Sequence, residues 1–112
     1  MKLGIVDLDT GNLASLLSAL NKLNINFKIC KNSFDFEDVD KIILPGVGAF
    51  KDLMKKINEK NMDKIILAKI DKNVSILGVC VGFQILFSGS NEHGDCKGLG
   101  LIKGNFINFK DE

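Results

Sequence analysis

A chain of 112 residues with a net charge of +1 is one domain or part of one, and its charge balance gives no reason to expect nucleic acid or an acidic membrane surface as a partner. Its three widely spaced cysteines, Cys30, Cys80 and Cys96, fit a reducing cytoplasm better than a disulfide framework; without Cys-x-x-Cys or a His/Cys cluster, no metal site is expected. Met1 to Val6 is too short an apolar run for a signal peptide before Asp7 interrupts it, and no stretch approaches the length of a transmembrane helix.

Strand and helix patterns alternate along the chain. Lys2 to Asp7 is a short apolar strand. In Gly11 to Asn24, Leu13, Leu16, Leu17, Leu20 and Leu23 recur at helical spacing, and Asn24 is suited to close the helix. Ile25 to Cys30 alternates as a second strand, followed by a polar turn region, Asn32 to Asp40, containing Phe34 and Phe36. Lys41 to Leu44 is a third strand, stopped by Pro45-Gly46. Ala49 to about Asn73 reads as two helices broken near Asn61. Their lysines are interleaved with acids, including the i,i+4 pair Asp52/Lys56, and mark a solvated face. Val74 to Val79 is a fourth strand and Val81 to Ser88 a short helix. Ser90 to Lys97 is a polar loop, and Leu99 to Phe109 reads as extended segments around Gly104. Near-continuous apolar strands alternating with helices predict an α/β fold, a mostly parallel sheet covered on both faces. Such sheets bind ligands at the carboxyl ends of their strands. Three loops fall there: Leu8 to Gly11, Pro45 to Gly48, and the turn at Cys80.

The segment Gly78-Val79-Cys80-Val81-Gly82-Phe83-Gln84 carries the most chemistry. A cysteine between two glycines, after an apolar strand and before a helix, is the cysteine form of a nucleophile elbow. The turn holds the thiol at its apex, and a helix N-terminus there favours the thiolate. The alternative is a buried core cysteine beside incidental glycines. An oxyanion formed at Cys80 needs donors, and the N–H of Val81 is the first in an elbow. The second would come from Gly46, Val47 or Gly48 in Leu44-Pro45-Gly46-Val47-Gly48-Ala49-Phe50, unless its glycines serve only a tight strand-to-helix turn. Gln84, one turn beyond Cys80, is either a substrate contact or a rim glutamine bonded to backbone. His93, the only histidine, lies beyond the far end of the elbow helix and reads as an exposed loop residue; as a base it would have to fold back. Asp7 and Asp9 sit in the first loop, as substrate ligands or as helix caps.

Together these blocks resemble class I (triad-type) glutamine amidotransferases, and within them the glutaminase subunits of imidazole glycerol phosphate synthase. Val6-Asp7 with Gly11-Asn12-Leu13, the Leu44 to Phe50 block and the Gly78 to Phe87 block occur in the family's order, and Gly98-Leu99-Gly100-Leu101-Ile102 is similar to the segment that follows. The resemblance implies a flavodoxin-like three-layer α/β/α fold. It implies that Cys80 attacks the side-chain amide of L-glutamine, that Val81 and a flipped Val47 N–H form the oxyanion hole, and that Gly46, Gly48 and Gln84 contact the glutamine. It implies a cytoplasmic heterodimer in which ammonia passes to a cyclase (β/α)8-barrel synthase subunit, with no cofactor, nucleic acid or membrane.

The sequence departs from the family at Leu8-Asp9-Thr10, where an aromatic and a glycine are usual, and at Lys103, in place of a proline. A related subunit group serves amidino-sugar synthesis for surface polysaccharides and stays open as an alternative. The resemblance further implies a catalytic His and Glu from a His-x-Glu segment in a C-terminal half, which residues 1–112 do not contain. The expectation is therefore the N-terminal part of a single amidotransferase domain, the alternative a non-catalytic docking module.

Overall fold

Four short strands, β1 (Leu3–Val6), β2 (Lys28–Cys30), β3 (Lys41–Gly46) and β4 (Ser75–Cys80), form a parallel sheet in the order β2-β1-β3-β4. The structure, a computed structural model, describes residues 1–10, 13–107 and 109. Because successive side chains of a strand point to opposite faces, the sheet feeds two cores. Leu3, Ile5 and Ile43 pack with Leu20 of helix α1 (Ala14–Lys22) on one face. Val6, Ile42 and Leu44 pack on the other with Leu53 and Ile57 of α2 (Phe50–Glu59) and Met62 and Ile66 of α3 (Met62–Asp71). All four residues of β1 are buried, as both-face coverage requires. The result is the expected three-layer α/β/α arrangement, and its strand order is the flavodoxin-like one.

The helix ends follow local chemistry. Asn24 adopts φ 57° just past α1; its N–H donates to Asn21 O at 3.1 Å, and Ile25 N–H donates to Leu20 O at 3.0 Å. This pair of bonds is a Schellman closure, which satisfies carbonyls the helix leaves open. Asn73, at φ 65°, closes α3 in the same way. Asn61, at φ 53°, separates α2 from α3 where the break was expected. The i,i+4 ion pair on α2 is Lys55–Glu59 at 4.0 Å rather than Asp52/Lys56. The start of the α1 pattern, Gly11-Asn12, lies outside the described residues.

Further expectations are corrected, among them the polar loop Ser90 to Lys97, whose two ends lie in strands. Strand β3 does not stop at Pro45: it continues to Gly46, with Pro45 opposite Val79 and Gly46 opposite Cys80. The β1 ladder has already ended at Ile5 opposite Ile43, so a residue without an N–H is tolerated there. The helix after Cys80 is also shorter than expected. It is one turn, α4 (Val81–Gln84), and Phe87–Ser90 is a strand, β5. The returning chain captures the carbonyls a longer helix would have used: Leu99 N–H donates to Ile85 O at 2.7 Å, Leu101 N–H to Leu86 O at 2.8 Å and Gly100 N–H to Phe87 O at 3.1 Å. A Cβ on Gly98 would overlap Phe87 O, so only glycine permits this approach. Strand β5 pairs antiparallel with β6 (Cys96–Lys97) and parallel with β7 (Ile102–Phe106) in a second, three-stranded sheet. Phe87 packs edge-on to Phe83 and Phe106, with ring centroids 5.2 and 4.9 Å away.

Candidate active site

Cys80 ends β4 and caps α4 with φ 56° and ψ −124°, a conformation that side-chain-bearing residues rarely adopt. Its thiol is exposed, whereas Cys30 is buried and Cys96 half-buried. The alternative of a core cysteine is thereby removed. The flanking glycines are dictated by crossing distance. A Cβ on Gly82 would overlap the carbonyl oxygen of Leu44, and one on Gly78 would lie 2.5 Å from the Cα of Phe83. Strand β4, the first turn of α4 and strand β3 are thus pressed together with backbone touching backbone. A single turn aligns few peptide dipoles, so α4 supplies less macrodipole at Cys80 than the longer helix expected from the sequence.

Strand pairing brings the second loop to the cysteine. Gly46 is the ladder partner of Cys80. Beyond it, Val47 is 47 % exposed and Gly48 adopts φ +88°, with no atom within 4 Å of where a Cβ would stand. The left-handed backbone at Gly48, rather than crowding, is what requires glycine there.

A cleft of about 320 Å³ opens over this junction. Pro45, Gly46 and Val47 line one part, Val79 and Cys80 another, and Thr10, Leu13, Ser15 and Leu16 the rest. Its wall is mainly apolar, with the thiol and the hydroxyl-bearing Thr10 and Ser15 as its polar side chains. Of the residues the sequence singles out, Cys80, Gly46 and Val47 meet in the cleft. Gly48, Val81 and Gln84 do not line it: Gly48 is exposed beside Val47, Val81 packs against the core, and Gln84 is half-buried. Thr10 and Ser15 had no motif to mark them. The signal was positional, since Thr10 lies in a loop at the carboxyl end of the sheet.

Asp7 and Asp9 cap no described helix; the N-cap of α1 is Leu13, which offers no side-chain cap. Asp7 accepts from Asp9 N–H at 2.9 Å, which shapes the loop, and Asp9 stands at φ 59°. Lys60 Nζ is 2.8 Å from Asp9 Oδ2, and Lys31 Nζ is 3.6 Å from both Asp7 and Asp9. The hydrogen bond from Lys60, then its charge and that of Lys31, hold the Asp9 carboxyl below its ordinary range. His93 is an exposed loop residue whose carbonyl accepts from Lys51 Nζ at 3.5 Å, and it does not line the Cys80 cleft. Among the described residues no cluster of three or more His, Cys, Asp or Glu could hold a metal ion, and no helix is long and apolar enough to cross a membrane.

A parallel α/β sheet with a strained, exposed cysteine at a strand-to-helix turn, beside a glycine loop from the neighbouring strand, defines a cysteine-centred α/β protein. Residues 4–94 match the family of class-I glutamine amidotransferases, and the chain belongs to that family. It is 41% identical over 110 residues to the imidazole glycerol phosphate synthase subunit HisH of Oceanobacillus iheyensis, a match covering 98% of this chain and 55% of that protein. It is 43% identical over 107 residues to the protein of the same name from Sulfurimonas denitrificans, covering 96% and 52%. The chain spans about half the length of the curated relatives it matches. A crystal structure of a glutamine amidotransferase shares the fold with a TM-score of 0.78 at 20% identity, over 94% of this chain and 55% of that one. That of a putative peptidase E protein from Listeria monocytogenes EGD-e superposes with a TM-score of 0.71 at 16% identity, over 90% and 62%. At such identities these neighbours speak to fold alone, and a fold does not choose a reaction.

Proposed function

We propose that this chain is the N-terminal part of a glutaminase domain that hydrolyses L-glutamine and passes the ammonia to a cyclase-type synthase, most specifically an imidazole glycerol phosphate synthase. The pairing of Gly46 with Cys80 carries the proposal, because it sets a backbone loop beside an exposed thiol in one cleft. The turn at Cys80 acts as a nucleophile elbow. The Cys80 thiolate adds to the side-chain carbonyl carbon of glutamine. The resulting oxyanion accepts from Val81 N–H and, after a peptide flip, from Val47 N–H. The tetrahedral adduct collapses with departure of ammonia, leaving a glutamyl thioester; water then cleaves the thioester to glutamate and free thiol. Gly46 lines the cleft at this point. Gly48 and Gln84 stand back from it, and their part in holding glutamine rests on the family resemblance. The base and its orienting carboxylate come from a His-x-Glu segment of a longer polypeptide; their help is worth roughly a hundred- to ten-thousand-fold. The relatives' names, each a subunit of imidazole glycerol phosphate synthase, support a synthase partner; the cytoplasmic heterodimer and the role in histidine biosynthesis rest on the family resemblance.

The test is incubation of the full-length polypeptide and its synthase partner with a glutamine-mimicking chloroketone, followed by peptide mapping. A single adduct on Cys80, lost in Cys80→Ala, is expected. Modification elsewhere with Cys80 untouched would remove the proposal.

A further inference from the structure

We infer that Lys60 and Asp9 are positioning residues that tie together the two walls of the Cys80 cleft. One wall contains Thr10, directly after Asp9; the other contains Pro45, Gly46 and Val47, three residues before α2 begins at Phe50. Lys60 is the residue that closes α2, and its Nζ lies 2.8 Å from Asp9 Oδ2. Helix α2 is therefore a strut: its first end continues the Val47 loop, its last end grips the Thr10 loop. The strut is well seated, since Phe50, Leu53, Met54 and Ile57 are all buried and the Leu53 side chain lies against Gly46.

The conformation of Asp9 gives the contact its purpose. A non-glycine residue at φ 59° costs free energy unless its surroundings hold it. Here the backbone N–H is held by Asp7 and the carboxylate by Lys60 and Lys31. Charge pairing thus fixes a loop for which glycine would be the unstrained choice, and it does so 51 residues away in sequence. The pair is partly exposed, at 35% and 57% for the two side chains, so its effect is a modest adjustment of the cleft.

This inference rests on the glutamine reading of the cleft, and its test separates the two. In the full-length polypeptide with its partner, the rate of Cys80 labelling is followed against chloroketone concentration, and labelling by iodoacetamide serves as a non-saturating reference. Lys60→Met and Asp9→Gly should each raise the half-saturating concentration about two- to five-fold, with the iodoacetamide rate unchanged and Lys60→Arg close to the parent. Raising salt to about 0.5 M should reproduce the effect in the parent protein and change Lys60→Met less, because only the longer Lys31 contacts remain there to be screened. Unchanged half-saturation in both Lys60→Met and Asp9→Gly, with saturable labelling of Cys80 intact, overturns the inference and leaves the glutamine reading standing. Absence of saturable labelling in the parent protein overturns both.

Discussion

Gly46 and Cys80 face each other across the last rung of the β3–β4 ladder. One residue ends a strand and opens a glycine loop; the other ends a strand and opens a helix. Parallel pairing aligns the two strand ends, so both turns emerge at one edge of the sheet and share one cleft.

Cys80 itself should trade stability for placement. Its backbone, φ 56° and ψ −124°, suits glycine better than cysteine. Cys80→Gly should abolish chloroketone labelling and raise the unfolding free energy by about 1 kcal/mol. Urea denaturation measures it, and a variant less stable than the parent would contradict the strain argument.

The glycines on either side of the site should respond differently to a methyl group. Gly82→Ala drives a Cβ into the Leu44 carbonyl, a backbone atom that cannot rotate away. A loss of about 2–3 kcal/mol or more is expected. Gly48→Ala meets no atom and suffers only its positive φ, at a cost of about 1 kcal/mol. The second variant should stay folded yet label Cys80 more slowly with the chloroketone. Thermal unfolding and labelling rates on the same pair of proteins distinguish the two mechanisms.

Cys30 predicts an alkaline limit to stability. Burial pushes its thiol up to about 11 from an ordinary 9.0, with Lys28 opposing part of the shift. The folded state therefore holds this proton more tightly than the unfolded one. The contribution is complete below about pH 9 and is lost as pH rises from there through about 11. Comparing urea midpoints of the parent and Cys30→Ala between pH 7 and pH 10.5 should show a gap that narrows with pH, by on the order of 1 kcal/mol. At neutral pH iodoacetamide should modify Cys80 and spare Cys30.

Phe87 should prove structural. It joins Phe83 and Phe106 in two edge-to-face contacts and carries β5. Phe87→Ala should cost about 2–4 kcal/mol. A change below about 0.5 kcal/mol in chemical denaturation would refute this packing role.

Much of this molecule was legible locally. Apolar runs at strand length, leucines at helical spacing, and asparagines at the ends of α1, α2 and α3 act through near neighbours in the chain, so Asn24, Asn61 and Asn73 mark their breaks in the sequence itself. Cys80 between Gly78 and Gly82 was equally plain, because the turn and its close crossing need those residue types at that spacing. What followed was decided at long range. Phe83 to Ser88 suits a helix by composition, but Gly98 to Leu101 return to take its carbonyls, and the chain becomes β5. Pro45 looks like a stop until β4 arrives beside it. The Thr10 wall of the cleft and the Lys60–Asp9 contact depend on how helices settle on the sheet. By itself the sequence named the nucleophile candidate and its loop; only tertiary packing, through backbone hydrogen bonds and ion pairs between residues far apart in the chain, set them in one cleft.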